Sequence, residues 1–361
     1  LIQHNNDMRV WMLLLLLVGM LRLATVTAAD AADAADVGFL SVGDWGSASL
    51  GGYHQRDAAG TAAAMKAYIA AHPASATAFV LNTGDNFYYC GIQNTSDPQI
   101  TEDYTAVFGG MGIPWYNSLG NHDYGFAPEA QLALNETIPE WIMDDRYYHR
   151  RVVIPSRNDH DHDHDTDDIV VNIIVLDTNP CVKDYRGANR RKWDPCGTEY
   201  PDCSPIKEPC RFHENIISQD CENQLVWVKN KLQGISKQEW VFVVGHHKAE
   251  EINVADFQTT VLDDPRVHLY LNGHNHNLEH YEINGQPKYM TTGAGGMVII
   301  GEKATVTTVD AKSIWSKVIT GFTSHTFTNN GTILVTEFWD TQLSNVPLYH
   351  FSVYLEEPRT I

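Results

Sequence analysis

Five short apolar runs in this chain each stop at a glycine, and each glycine is followed at once by side chains that can donate oxygen or nitrogen to a cation. The five ends read Gly43-Asp44-Trp45-Gly46, Gly84-Asp85-Asn86-Phe87-Tyr88, Gly120-Asn121-His122-Asp123, Gly245-His246-His247 and Gly273-His274-Asn275-His276. The runs before them, residues 37–42, 77–81, 113–119, 240–244 and 267–271, have the length and composition of buried strands. A lone aspartate or histidine at a strand end is ordinarily a turn or capping residue. Five in one chain are far harder to obtain by accident. Residues 57–72, alanine-rich with helical spacing, separate the first two runs, and this strand–helix repetition indicates α/β layering. Open α/β sheets place ligands where such strands end.

The donors themselves suggest metal. A carboxylate is a hard anionic oxygen donor, and so is a phenolate once a strong Lewis acid has taken its proton. Asp85 and Tyr88, three residues apart after a glycine that allows a sharp turn, can together hold a trivalent ion. Residues i and i+2 of an extended segment face the same way, so His274 and His276 can each reach one of two adjacent ions.

This pattern resembles the metallophosphoesterase superfamily and, within it, the purple acid phosphatases. The family's five blocks appear in order, the fourth as Val243-Val244-Gly245-His246. Tyr88 matters most, because many relatives lack it, and in purple acid phosphatases it binds ferric iron and gives the colour. Trp45, and Asn86-Phe87 ahead of Tyr88, look like the small tartrate-resistant type. The resemblance spans residues 37–296, with weaker support beyond. It implies a four-layer sandwich, two mixed β-sheets flanked by helices, in a single catalytic domain over 37–361. It implies that Asp44, Tyr88 and His276 hold Fe3+, that Asn121, His246 and His274 hold a divalent ion (Fe2+, Zn2+ or Mn2+), and that Asp85 bridges the two. Asn121, Asp85 and His122 form the implied catalytic set, His122 contacting phosphate and stabilising or protonating the leaving oxygen. The implied reaction is hydrolysis of phosphate monoesters by metal-activated hydroxide.

Charge counting agrees. Asp44, Asp85 and ionised Tyr88 set three negative charges against about five positive ones, an excess matched to a phosphate dianion. The formal net charge of -20 therefore does not forbid an anionic substrate, though it argues against nucleic acid or an anionic membrane as partner.

Some features depart from the family pattern. Relatives often carry a proline, an aromatic residue and a further histidine after the fourth block, whereas here His246 is followed by His247-Lys248-Ala249-Glu250-Glu251. His247 either substitutes for the outer histidine or is a packed or exposed neighbour. Glu250 and Glu251 would repel anions if they face the mouth. Asp123 either orients His122 or serves the turn.

Residues 8–28, with Arg9 before an apolar core and small residues at Val26-Thr27-Ala28, read as a secretory signal peptide, residues 1–7 as upstream sequence and 29–36 as a flexible spacer. A retained anchor is the alternative. Export, to the outside or to a lysosome or vacuole, fits six cysteines without a CxxC pair, five of them between Cys181 and Cys221 in a cysteine-rich excursion over 179–215. Three glycosylation sequons begin at Asn94, Asn135 and Asn330. Residues 147–154 and 169–176 read as strands joined through an Asp/His tract at 159–165, expected to be a solvated hairpin tip rather than a metal store. A helix is expected over 219–232, and β-structure over 289–296 and 321–354. The expected partners are small phosphorylated molecules, with no membrane span once the signal is removed. The rival readings are a phosphodiester, nucleotide or sphingolipid-headgroup hydrolase of the same superfamily and a non-catalytic secreted binding protein.

Overall fold

Residue alternation explains the layering. In β7 (Trp240–Val244), Trp240, Phe242 and Val244 face one apolar cluster, while Val241 and Val243 face another. A strand buried on both faces must be apolar throughout, and so the run is continuous rather than alternating. β1 (Val37–Val42) is likewise buried along its whole length. The computed structural model describes residues 37–72, 77–155, 168–187, 194–196, 210–298, 311–342 and 346–355. The expected signal peptide, the spacer, the 159–165 tract, and residues 188–193 and 197–209 of the cysteine-rich excursion lie outside them.

Two seven-stranded sheets result. The first runs β14 (Tyr349–Tyr354), β13 (Ile333–Asp340), β12 (Gly321–Thr328), β1, β2 (Thr77–Asn82), β3 (Trp115–Asn117), β4 (Trp141–Ile142). β1 to β4 are parallel and β12 to β14 antiparallel, with Val37 opposite Phe327 where the two kinds meet. The second runs β11 (Ala311–Lys317), β9 (Leu278–Ile283), β10 (Gln286–Thr292), β8 (Leu269–Asn272), β7, β6 (Ile169–Val175), β5 (Tyr148–Ile154). Its central strands are parallel and its edges antiparallel.

The sheets meet through Phe39 and Phe327 of the first, whose rings lie 5.2 Å and 6.3 Å from that of Phe242 in the second. Outside the first sheet, α1 (Gly52–Ala71) sets Tyr68 5.9 Å from both Phe322 and Trp339. Two short helices, α2 (Pro128–Leu132) and α3 (Phe212–Ile217), sit in loops. Outside the second sheet, α4 (Cys221–Gln233) buries Leu225, Val228 and Leu232 against Val241 and Val243. Helix, sheet, sheet, helix is the expected four-layer sandwich.

The predicted strands appear, within a few residues of their expected bounds. Three others, β4, β9 and β11, are not visible in the sequence pattern. α1 begins five residues ahead of the expected start at 57, because Gly51 and Gly52 carry the positive φ angles that let the chain enter it. Disulfides join Cys181 to Cys221 and Cys196 to Cys210, and Cys90 is disulfide-bonded too.

Candidate metal centre

The parallel strands β1, β2 and β3 of one sheet and β7 and β8 of the other end at the same place. Backbone bonds lace these ends together: Asp44 N donates to Gly84 O (2.9 Å), Gly43 N to Thr292 O (2.8 Å) and Gly273 N to His246 O (2.9 Å). Close approach explains the glycines. A Cβ on Gly120 would stand 2.1 Å from Asp85 Oδ1, and one on Gly273 2.4 Å from Asp44 Oδ2. Asp44, Asp85 and His274 have φ of 55°, 54° and 67°. That left-handed conformation costs a non-glycine residue about 1–3 kcal/mol and persists where surrounding contacts fix it. Here it turns each donor inward.

The predicted donors converge in two groups. In the first, the Tyr88 hydroxyl lies 3.1 Å from Asp44 Oδ1, 3.1 Å from Asp85 Oδ2 and 3.3 Å from His276 Nε2. In the second, Asn121 Oδ1 lies 3.0 Å from both His246 Nε2 and His274 Nδ1. Asp85 Oδ2 belongs to both groups, being 3.3 Å from His246 Nε2. His246 is oriented from behind, its Nδ1 donating to Thr83 O at 2.8 Å, which turns Nε2 toward the donors. His122 stands beside them, with its ring centroid 4.5 Å from that of Tyr88. Its Nδ1 donates to Tyr89 O (2.7 Å), and its backbone N–H to Asp85 Oδ1 (2.9 Å).

The arrangement fits a metal pair. Asp44 and Asp85 are buried carboxylates whose ion-pair partners among the described residues are imidazoles, His276 and His246, rather than lysine or arginine. Burial raises Asp44, with His276 and His246 opposing. Burial also raises Asp85, but His246, His122 and His274 outweigh it and hold it well below the usual carboxylate range. For His246 burial acts downward, and Asp85 overcomes it to push the imidazole up to about 9. Burial, then Asp44 and Asp85, drives the Tyr88 phenol well above 10. The site is thus short of positive charge, and a cation is what would make Tyr88 a ligand.

Support beneath the donors comes from a chain of side chains, of which Asn82 and Gln131 carry no signal in the sequence pattern. Trp45 Nε1 donates to Asn82 Oδ1 (3.0 Å), and Asn82 Nδ2 donates to Asn86 Oδ1 (2.6 Å). Asn86 Nδ2 donates to Gln131 Oε1, and Gln131 Nε2 to Asp123 Oδ1, both at 2.9 Å. Asp123 also accepts from the backbone N–H groups of Asn86, Phe87 and Gly120. Its role is therefore to tie the second block to the third. His122 is oriented by the Tyr89 carbonyl instead.

His247 is the packed neighbour, not an outer ligand. Its Nδ1 lies 2.8 Å from Thr178 Oγ1 and its Nε2 2.9 Å from Tyr185 Oη, which occupies both nitrogens. Glu251 turns its carboxylate inward to Lys248 N (3.1 Å), and Lys248 Nζ pairs with buried Glu279 at 2.7 Å. Of the two glutamates that would repel anions if they faced the mouth, Glu251 is thus turned to the backbone of its own loop.

A family model described as calcineurin-like phosphoesterase matches residues 38–278. Purple acid phosphatase 7 of Arabidopsis thaliana is 28% identical over 71% of this chain and 69% of its own length. Tartrate-resistant acid phosphatase type 5 is 27% identical in both Sus scrofa and Homo sapiens, over 72% of this chain and 70% and 73% of theirs. Among solved structures, GAP50, the anchor in the inner membrane complex of Plasmodium, superposes with a TM-score of 0.61 at 21% identity over 90% of each chain. Purple acid phosphatase PPD1 of yellow lupin (Lupinus luteus) seeds gives 0.53 at 13% identity over 89% of this chain and 54% of that one. At such identities the structural likeness speaks for the fold alone. The family match takes in all five donor-bearing strand ends and well over half of the sequence, and the chain belongs to the calcineurin-like phosphoesterase family.

Proposed function

We propose that this chain is an acid phosphatase of the purple type, hydrolysing small phosphate monoesters at a dinuclear metal centre. The observation that carries the reading is the Tyr88 hydroxyl set 3.1 Å from both Asp44 and Asp85, with the Asn121–His246–His274 group sharing Asp85. Asp44, Tyr88 and His276 would hold Fe3+, and Asn121, His246 and His274 a divalent ion of iron, zinc or manganese, with Asp85 common to both. When bound, the pair supplies Lewis acidity and a water activated below neutral pH.

The chain's own side chains do the rest. The backbone N–H of His122 fixes Asp85 Oδ1, so that Asp85 Oδ2 is left for the centre. Thr83 O and Tyr89 O fix the His246 and His122 rings before substrate arrives, so no reorganisation is needed during reaction. In this reading His122 would give a proton to the departing alcohol oxygen, and no protein nucleophile would be required. A secretory compartment, outside the cell or lysosomal or vacuolar, is supported by the disulfides Cys181–Cys221 and Cys196–Cys210.

The test is the visible spectrum of the purified protein together with p-nitrophenyl phosphate hydrolysis across pH, for wild type and Tyr88→Phe. The expected result is a charge-transfer band that the variant loses and activity that peaks below pH 7. A colourless but active protein would remove the ferric assignment and keep the hydrolase. With metal confirmed present, no colour and no hydrolysis would overturn the reading in favour of a non-catalytic binding protein.

A further inference from the structure

A sixth strand end meets the centre beside the five that the sequence displays. β6 stops at Val175 and leads into Asp177-Thr178-Asn179, whose side chains are all buried. α4 holds this segment from outside: Gln224 Oε1 accepts from Asp177 N (2.9 Å), and Gln224 Nε2 donates to Asp177 O (2.8 Å). Cys181, two residues beyond Asn179, is bridged to Cys221 at the start of the same helix.

From that anchorage the segment reaches each donor of the Asn121–His246–His274 group. Thr178 Oγ1 accepts from the backbone N–H groups of His246 and His247, both at 3.2 Å. Asn179 Nδ2 donates to Leu119 O (3.0 Å), two residues before Asn121. His247 Nδ1 lies 2.8 Å from Thr178 Oγ1, and the His247 ring centroid is 4.5 Å from that of His274. A hydroxyl has two lone pairs and one proton. With two N–H groups on its oxygen, Thr178 gives its proton to His247 Nδ1, and His247 Nε2 then donates to Tyr185 Oη (2.9 Å). All three capacities of the hydroxyl are thus used, and its methyl packs where a Cβ on Gly245 would stand 2.7 Å away. Valine has the same shape and none of these bonds. The Asp44–Tyr88–His276 group is held by other residues: Tyr88 N donates to Gly46 O (2.8 Å), Tyr88 O accepts from Gln99 Nε2, and Asp44 O accepts from Met297 N (3.0 Å).

We propose that Thr178 is a positioning residue for the divalent ion, its hydroxyl holding the His246 backbone and, through the His247 ring, His274. The inference rests on the two-metal reading above. His246 is then fixed twice, at its N–H by Thr178 and at Nδ1 by Thr83 O, so its Nε2 is set before any ion arrives. The role is selective: loss of the hydroxyl should weaken the divalent position and leave the ferric one intact.

The test compares wild type with Thr178→Val, Thr178→Ser and Thr178→Ala, each dialysed to equilibrium against graded, buffered Zn2+. Zinc and iron per chain and the visible spectrum are measured. An outer partner of a metal ligand is worth about 10–100-fold in metal affinity. Thr178→Val, which keeps the shape and loses the hydroxyl, should therefore bind Zn2+ about 10–100-fold more weakly, with iron content and visible band at the wild-type level. Thr178→Ser, which keeps the hydroxyl and loses the methyl over Gly245, should stay close to wild type, and Thr178→Ala should fall with Thr178→Val. Wild-type zinc affinity in Thr178→Val would overturn the proposal. So would an equal loss in Thr178→Ser and Thr178→Ala, which is the signature of packing, or a loss of iron in parallel with zinc, which would mean a general loosening of the centre. Should Thr178→Val fail to fold, Thr178→Ser against Thr178→Ala decides, because both lack the methyl and one alone has the hydroxyl. A wild type that takes up no zinc would overturn the two-metal reading itself and this proposal with it, and that result is visible before any variant is made.

Discussion

The ion pair between Lys248 and Glu279 gives a sharp test of how the two histidine-bearing strand ends are held. Lys248 lies two residues beyond His246, and Glu279 three beyond His276. Their charged atoms are 2.7 Å apart, and the side chains are 2% and 1% exposed. Lys248 Nζ also stands 4.5 Å from the Tyr281 ring centroid. An exposed pair would be worth about 0–1 kcal/mol. A buried pair behaves differently, because removing one partner strands the other charge in the interior at a cost of about 3–5 kcal/mol, whereas replacing both with apolar groups is often nearly neutral. Lys248→Met keeps the stem of the side chain over Tyr281, and Glu279→Leu keeps most of its volume. Each single variant should lose about 3–5 kcal/mol, a fall in melting temperature of about 6–10 °C at roughly 2 °C per kcal/mol for a chain of this size. The double variant should lose much less than the sum. Calorimetry on the four proteins, with metal content equalised beforehand, gives the coupling energy directly. Single-variant losses below about 1 kcal/mol, or additivity within about 0.5 kcal/mol, would refute the argument, since neither is compatible with a desolvated pair.

Three further outcomes are expected. Gly120→Ala should abolish metal uptake while leaving far-UV circular dichroism intact, because its Cβ would stand 2.1 Å from Asp85 Oδ1 and 2.3 Å from Asp85 N; metal analysis per chain decides it. Asp103, bonded to Ser49 N (2.5 Å) and Ser49 Oγ (2.9 Å), is pushed by burial from 3.8 up to about 7. A folded-state value above the unfolded one means that the native chain holds the extra proton. The contribution of Asp103 is therefore greatest below about pH 4 and declines toward pH 7, by roughly 2–4 kcal/mol. Asp103→Asn, which cannot titrate, should gain on wild type across that window in urea titrations, and a constant difference between them would refute the assignment. Removing the Cys181–Cys221 bridge, which spans 40 residues, should cost about 4 kcal/mol, read as a shift of the denaturation midpoint.

The strand ends are legible in the sequence for a physical reason. Strands buried on both faces, such as β1 and β7, must be continuously apolar, and the glycines that follow are required by close approach to Asp85 and Asp44. β9 is not legible, because its residues Glu279 and His280 are buried polar groups. Their partners, Lys248 for Glu279 and Tyr349 and Pro287 for His280, are set by tertiary structure rather than by local pattern. The pairing of β12 beside β1 is hidden for the same reason, since nothing in residues 37–42 announces a partner at 321–328. Among candidate site residues, Asp44, Asp85, Tyr88, Asn121, His122, His246, His274 and His276 all stand at strand ends and announce themselves as a series. Asp123 was ambiguous between two roles, and only its four donors decide between them.

Because four of the seven donors follow strands of the first sheet and three follow strands of the second, they also come from distant parts of the reading frame. His274 N donates to Asp44 Oδ2 across 230 residues of chain. At about 5–20 residues per second, a ribosome finishes the first strand end roughly 12–46 seconds before the last. During that interval Asp44, Asp85 and Tyr88 exist without His276, and the first sheet lacks β12 to β14. A metal pair held by these residues could therefore not be complete until the chain has been made as far as His276. In a chain bound for export, the compartment where the sheets close would choose the ion, not the one where translation starts.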